Sequence, residues 1–158
     1  MSWYDEWFEE EYVLVYGHRN IEEARRDVAF GEEALKLERN QLILDLCCGS
    51  GRHLLALCEK GYSRLIGVDL SMTLLRLAQT APAHRSCLTQ VLLADMRQLP
   101  FAEKFDAVLN LFTSFGYFDL DEENLQVLQS IHSVIRPKGR FILDYLNPDQ
   151  VIRTIKPQ

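Results

Sequence analysis

The chain has 158 residues, of which 47% are hydrophobic and 25% are charged, and its formal net charge at pH 7 is −6. A chain of this length can form one domain with a substantial core, and no apolar run approaches the roughly 18 residues of a membrane-spanning helix. The negative net charge and the scattered lysines and arginines disfavour a nucleic acid as partner.

The N-terminus has neither a basic start nor an apolar segment, so it does not resemble a secretion signal, and we expect a cytoplasmic protein without membrane association. The four cysteines lack the C-x-x-C spacing of many metal sites. We therefore expect them to be small core residues rather than metal ligands or disulfide partners, and we expect no bound metal.

The first 40 residues are predicted to be helical. Apolar residues in the stretch up to residue 18 have helical spacing, and Asn20 with Glu23 forms a capping box for a second helix that runs toward Leu37. We expect residues 1–40 to be an N-terminal helical segment and residues 41–158 to be the α/β core of the same single domain.

From residue 41 onward, strand and helix patterns alternate, which is typical of a parallel sheet with crossover helices. Right-handed crossovers then give a Rossmann-like, doubly wound, mainly parallel α/β sheet of about five strands with flanking helices. The predicted strands are Leu42–Leu46, Arg64–Val68, Leu88–Leu93, Phe105–Leu109 and Arg140–Tyr145, and the predicted helices of this part are Arg52–Glu59, Met72–Thr80 and Glu122–Ile135.

The stretch Asp-Leu-Cys-Cys-Gly-Ser-Gly that begins at Asp45 has the features of a nucleotide-cofactor loop. The first strand delivers Asp45 to its carboxyl end, and Gly49 and Gly51 let the backbone turn close to a ligand before the next helix begins. A dinucleotide loop needs a third glycine where this chain has Leu54, and a phosphate loop needs a lysine and a hydroxyl after its last glycine. The loop therefore predicts a cofactor with an adenosine but no phosphate.

Acids also follow the second and third predicted strands. Asp69 is placed to accept hydrogen bonds from two ribose hydroxyls, and the alternative is a cap of the next helix. Asp95 is either a site residue or a solvated turn acid. Leu70 and Met96 would supply apolar contacts beside a base, although a methionine near a strand end is often part of the core.

In their order along the chain, the loop from Asp45 to Gly51, Asp69 and Asp95 resemble the motifs of class I S-adenosylmethionine-dependent methyltransferases of the bacterial small-molecule type. That family usually has a glycine where this chain has Cys47. The resemblance implies that Asp69 holds the ribose, and that Asp95 accepts the adenine amino group while the backbone N–H of the next residue reaches the ring.

The resemblance extends to two further segments. The exit of the fourth strand at Asn110 would face the methionine ammonium of the cofactor with backbone carbonyls. The N-terminal segment of these enzymes lies over the cofactor, so that Tyr16 would face the sulfonium and Arg19 would pair with the methionine carboxylate. His18 and Tyr117 are the first candidates for a proton acceptor in catalysis.

The loop after Asn110 contains Phe112, Phe115, Tyr117 and Phe118, too many aromatic residues for one helix face, so we expect at least one to line the site. The loop lacks the Asp/Asn-Pro-Pro-aromatic motif of enzymes that methylate base amino groups, which favours a small-molecule acceptor. The prediction is in-line attack of that acceptor on the sulfonium of S-adenosylmethionine, with S-adenosylhomocysteine as product. The alternative is a non-catalytic S-adenosylmethionine-binding subunit or regulatory protein of the same fold.

The sheet of this family has seven strands, and the predicted strands of this chain end with the fifth. Either the chain is truncated at its C-terminus, which we favour, or two copies form a homodimer through the exposed sheet edge, since a bare edge strand readily pairs with another strand.

Overall fold

The computed structural model describes residues 21–80, 87, 89–102 and 104–154. The predicted helix up to residue 18 and the cap residue Asn20 lie outside these residues. The helices of the described part are α1 (Ile21–Leu35), α2 (Arg52–Glu59), α3 (Met72–Thr80), α4 (Asp121–Val134) and α5 (Pro148–Thr154). The strands are β1 (Ile43–Leu46), β2 (Leu65–Asp69), β3 (Gln90–Leu93), β4 (Phe105–Asn110) and β5 (Ile135–Leu143).

The five strands form one parallel sheet in the order β3-β2-β1-β4-β5. The chain builds one half outward from β1 through β2 to β3, and then crosses to the other side of β1 to add β4 and β5. Every residue of β1 and β4 is buried, as expected for central parallel strands covered on both faces. The predicted Rossmann-like α/β fold is therefore confirmed.

Apolar side chains form two core clusters, one on each face of the sheet. The first joins α1, α2 and α3 to the sheet, and the second joins α4 to the opposite face. The buried ring of His53 in α2 also lies against α1, with its Nε2 3.2 Å from Oδ2 of Asp27, and this contact is the main reason that the pKa of Asp27 is lowered. These contacts fix the start of α2 beside the end of β1.

The prediction for the fifth strand was wrong at both ends, because β5 begins at Ile135 and ends at Leu143. Its pairing with β4 is irregular: Phe105 pairs with Ile135, and Ala107 pairs with Arg140. The extra residues on β5 include Lys138, whose φ is 67°. The turn-forming Pro-Lys-Gly sequence thus lies inside a strand that starts directly after α4.

The expectation for the cysteines was partly wrong. Cys47 and Cys48 are free and at least partly buried, but Cys58 at the end of α2 forms a disulfide with Cys87, and their Cα atoms are 6.0 Å apart. The chain fold brings these two residues together across 29 positions, for which their spacing gave no signal. Among the described residues, no helix is long and apolar enough to cross a membrane, and no cluster of three or more potential ligands could hold a metal.

Candidate functional site

The predicted site residues in the described part of the chain lie near the point where the strand order switches, because β2 and β3 lie on one side of β1 and β4 and β5 lie on the other. Asp45 lies in β1, Cys47 follows its last residue, and Asn110 ends the neighbouring β4. Asp69 ends β2, and Asp95 comes shortly after β3. Because all strands are parallel, their carboxyl ends lie at one edge of the sheet, and open α/β sheets bind ligands at this switch point.

The loop between β1 and α2 turns through three residues with left-handed backbone: Cys47 with φ 62°, Gly49 with φ 54° and Gly51 with φ 80°. Glycine adopts this conformation without strain, but a residue with a Cβ does not. Gly51 is the N-cap of α2, and within the described part of the chain no side-chain hydrogen bond caps the first turn of this helix. Cys47 is thus the one strained residue of the three.

We expect Cys47→Gly to leave the free energy of unfolding unchanged or to raise it by up to about 1 kcal/mol, because relief of the left-handed strain outweighs the added freedom of the unfolded chain. Cys48→Gly is the matched control, since Cys48 is buried and its backbone is not left-handed. It should lower stability. Urea unfolding of the two variants measures the difference, and equal destabilisation by both would contradict the expectation.

The carboxylate of Asp69 connects the glycine loop to the end of β2. The backbone N–H of Gly49 donates to Oδ2 over 2.8 Å, and that of Ser71 donates to Oδ1 over 2.9 Å. Burial raises the pKa of Asp69, while these N–H groups act in the opposite direction. The alternative role as a cap of α3 is wrong, because the Ser71 hydroxyl accepts the N–H of Leu74 in the first turn.

Two buried acceptor atoms at the ends of β1 and β4 have no hydrogen-bond donor among the described residues. They are Oδ2 of Asp45 and Oδ1 of Asn110, in residues that are each 1% exposed. The amide nitrogen of Asn110 donates to the carbonyl of Leu46 over 3.1 Å, which fixes the direction of its side chain. Burial raises the pKa of Asp45 to about 6. Buried acceptors of this kind normally have a partner, so a ligand that brings donors fits here.

The thiol of Cys47 lies at the centre of the site. Its Sγ is 3.6 Å from Sδ of Met96 and 3.9 Å from the carbonyl oxygen of Ser114. Burial raises the pKa of this thiol well above its ordinary value, and the nearby carboxylates of Asp69 and Asp45 act in the same direction. Cys47 is therefore a neutral packing residue at neutral pH, because the thiolate is the nucleophilic form.

The residues after β2 and β3 differ in their surroundings. Leu70 is 44% exposed at the end of β2, which leaves it open to contact a ligand. Met96 is buried in the second core cluster. Asp95 is partly buried and is held by Arg97 through its carboxylate and through a turn-type hydrogen bond to the Arg97 backbone N–H, so it is not a freely solvated acid.

The aromatic loop, residues 111–118, begins with two strained residues. Phe112 and Thr113 have left-handed φ values of 62° and 53°. Asp144 supports this turn, since its Oδ2 accepts the N–H of Phe112 over 3.0 Å and its carbonyl accepts the N–H of Thr113. The turn places the Phe112 ring 4.6 Å from the guanidinium carbon of Arg52, beside the glycine loop, whereas Tyr117 packs partly buried against the second core cluster.

Arg52 lies beside the glycine loop, and the sequence pattern had not marked it as a candidate site residue. It follows Gly51 directly, and its Nη1 and Nη2 are buried without a hydrogen bond among the described residues, although Nη1 forms a 3.6 Å ion pair with Glu23. A positive charge immediately after a glycine loop was the available signal. Tyr16, His18 and Arg19 lie outside the described residues.

Comparison with known proteins identifies related chains. The methyltransferase domain family matches residues 43–139. Demethylmenaquinone methyltransferase of Lactiplantibacillus plantarum is 33% identical over 129 residues, which cover 78% of this chain and 52% of the relative. Glycine/sarcosine N-methyltransferase of Aphanothece halophytica is 30% identical over 122 residues, which cover 76% and 46%.

Among solved structures, S-adenosylmethionine-bound CalS10, an amino pentose methyltransferase from Micromonospora echinaspora, superposes with a TM-score of 0.69 at 25% identity, over 89% of this chain and 58% of that chain. The chain spans about half the length of the two curated relatives. The family match covers the glycine loop and all five strands up to residue 139. The chain therefore belongs to the methyltransferase domain family, in agreement with its resemblance to class I S-adenosylmethionine-dependent methyltransferases.

Proposed function

We propose that this chain binds S-adenosylmethionine and that the protein transfers its methyl group to a small-molecule acceptor. The observation that carries the proposal is the pair of buried, unpartnered acceptors, Oδ2 of Asp45 and Oδ1 of Asn110. The methionine ammonium of the cofactor has three N–H donors and a positive charge, which match two acceptors in a site whose carboxylates outnumber its cations.

The other site residues fit the remaining parts of the cofactor. Asp69 retains acceptor capacity for ribose hydroxyls beyond its two backbone donors. Asp95 and the backbone N–H of Met96 would receive the adenine, with Leu70 as an apolar neighbour. Arg52 supplies a buried guanidinium for the methionine carboxylate, in the role that the sequence predicted for Arg19.

When bound, the cofactor supplies a methyl group that is already electrophilic because a sulfonium carries it. The protein's task is then to hold the acceptor in line with that methyl group and to exclude water, which accounts for much of the rate in such reactions. A dedicated base is not required. If the acceptor must lose a proton, His18 and Tyr117 are the candidate proton acceptors.

A small-molecule acceptor is supported by the aromatic loop beside the glycine loop and by the sugar and quinone methyltransferases among the similar proteins. We further propose that residues 1–40 cover the cofactor while residues 41–158 hold it, in a cytoplasmic protein. The exposed side chains of Leu143, Tyr145 and Leu146 beside β5 support the proposal of a homodimer through this sheet edge.

Calorimetric titration of the 158-residue chain with S-adenosylhomocysteine, with NAD as the control ligand, tests the cofactor proposal. We expect saturable one-to-one binding of S-adenosylhomocysteine and none of NAD. Binding of NAD alone, or of neither ligand by a folded sample, would contradict it. Methyl transfer from S-adenosylmethionine to a pool of small amines, phenols and sugars then distinguishes an enzyme from a non-catalytic binding protein.

We expect Asp69→Ala to weaken S-adenosylhomocysteine binding by about 1–3 kcal/mol, because both the ribose hydroxyls and the Gly49 N–H lose an acceptor. Asp149→Ala is the matched control, since Asp149 is exposed in the first turn of α5. The same titration measures both variants. Unchanged affinity in folded Asp69→Ala would remove this residue from the site.

A further inference from the structure

The side chain of Arg97 connects the acid after β3 to two other parts of the site. Its Nε lies 3.1 and 3.0 Å from the two carboxylate oxygens of Asp95, its Nη2 contacts Oδ2, and its backbone N–H donates to Oδ1 over 2.8 Å. Nη1 pairs with Glu123 in the first turn of α4. The guanidinium carbon also lies 4.3 Å from the centre of the Phe118 ring, in the aromatic loop.

These contacts fix the orientation of the Asp95 carboxylate and leave it one acceptor position. A carboxylate accepts about four hydrogen bonds, and Arg97 brings three N–H groups to this one, of which the Nε–H is shared between the two oxygens. A planar guanidinium fork holds a carboxylate in a single plane, so the direction of the remaining position is set as well. Burial acts to raise the pKa of Asp95, but the hydrogen bonds from Arg97 outweigh it, and the pKa lies below its ordinary value.

A purely stabilising ion pair does not account for this arrangement. The side chains of Arg97 and Asp95 are 27% and 30% exposed, and pairs with this degree of exposure contribute little to folding. The guanidinium is itself held from a second side by Glu123 and from its face by Phe118. A group held this firmly at the edge of the site is suited to direct the carboxylate rather than to strengthen the fold.

We propose that Arg97 is the positioning residue that gives the site its preference for a 6-aminopurine, by aiming the free acceptor position of Asp95 at the exocyclic amino group. This inference rests on the proposed function, in which Asp95 receives the adenine of S-adenosylmethionine. Arg97 does not touch the cofactor in this proposal. It acts through Asp95, and its removal changes which purine is preferred rather than whether a purine binds.

The test compares two ligands, S-adenosylhomocysteine and its 6-deamino analogue, in which a hydrogen replaces the amino group of the purine. Calorimetric titration of the wild-type chain should give about 10- to 100-fold tighter binding of S-adenosylhomocysteine, because the analogue lacks a hydrogen bond to a charged acceptor. In Arg97→Gln this ratio should fall to about threefold or less, with the affinity for the analogue nearly unchanged. Arg97→Lys keeps the charge without the fork and should lie between the two.

The matched control is Arg25→Gln, because Arg25 forms exposed ion pairs with Glu22 and Glu59 on α1 and α2. It should keep the wild-type ratio. An equal loss of affinity for both ligands in Arg97→Gln would overturn the proposal, as would a wild-type chain that binds both ligands equally. A folded wild-type chain that binds neither ligand means that the proposed function fails. If Arg97→Gln does not fold, Arg97→Lys provides the same comparison.

Discussion

Replacement of Asp45 by asparagine is expected to weaken S-adenosylhomocysteine binding by about 100-fold, because a buried hydrogen bond between an ammonium and a carboxylate becomes one to a neutral amide. Asp45 is 1% exposed and has an oxygen without a donor among the described residues, so water cannot readily take the place of the lost partner. Calorimetric titration at pH 7.5 gives the two affinities.

The same substitution should weaken ligand binding but favour folding at neutral pH. Relative to the wild type, the variant should be more stable at neutral pH than it is in acid. Burial raises the pKa of Asp45 from 3.8 to about 6, with His53 opposing this effect and Asp69 adding to it. A raised pKa of an acid means that its protonated form favours folding, so this contribution is fully present below about pH 4 and is lost as the pH rises to about 6. The loss in the wild-type chain amounts to about 3 kcal/mol, and Asp45→Asn does not have it.

Urea unfolding of the wild-type chain and of Asp45→Asn at several values between about pH 4 and pH 7.5 measures this difference. The stability of the variant relative to the wild type should increase from about pH 4 to about pH 6 and approach a constant value above that. Any effect of the asparagine side chain on the free energy of unfolding that does not depend on pH cancels when the values at different pH are compared. Asp149→Asn is the control and should follow the wild-type profile. A variant profile parallel to that of the wild type would contradict the raised pKa of Asp45.

Gly67→Ala is expected to lower the free energy of unfolding by about 3 kcal/mol, the upper end of the range for overpacked cores. A Cβ at this position in β2 would lie 2.6 Å from Cδ1 of Leu54 and 2.7 Å from Sγ of Cys48. Both neighbours are buried in a closely packed core, and the Cβ of Cys48, which can move only with its backbone, would lie 3.1 Å away. The absence of a side chain at Gly67 is therefore what lets α2 and the glycine loop pack closely on the sheet.

Gly31→Ala is the matched control for this prediction, since the added Cβ in α1 meets no atom of the described residues within 4 Å. The same chemical change should there raise stability, by about 1 kcal/mol, because alanine favours a helix over glycine. Thermal or urea unfolding of both variants shows whether each substitution lowers or raises the free energy of unfolding. A double variant with Leu54→Ala should recover part of the loss at Gly67, and additive losses would show that these two residues do not compete for the same space.

The parts of the fold that the sequence predicted depend on local signals. Buried apolar runs marked β1 and β4, and the spacing of Gly49 and Gly51 marked the loop, because a tight turn beside a helix start needs residues without a Cβ. Parallel pairing then placed Asp69 and Asp95 at the same sheet edge as Asp45, which followed from the order of the elements alone.

The parts that the sequence did not predict depend on contacts between distant residues. Arg97 reaches Glu123 across 26 positions, and the disulfide of Cys58 joins residues 29 apart. The early start of β5 depends on an irregular pairing with β4. The left-handed turn at Phe112 has no compositional signal, because its conformation is imposed by Asp144 rather than favoured by a glycine or an asparagine.

The chain crosses from one side of β1 to the other between β3 and β4, and this crossing also affects when the site forms during folding. The hydrogen bond from Asn110 to the Leu46 carbonyl joins residues 64 apart, so the contact between the two halves of the sheet requires closure of a long loop, whereas β1 and β2 are close in sequence. Such non-local contacts form slowly. A chain with only the first half in place presents Asp45 and Asp69 but lacks Asn110. A ligand that needs both halves binds only the completed sheet, and it thereby stabilises that state over every partly assembled one.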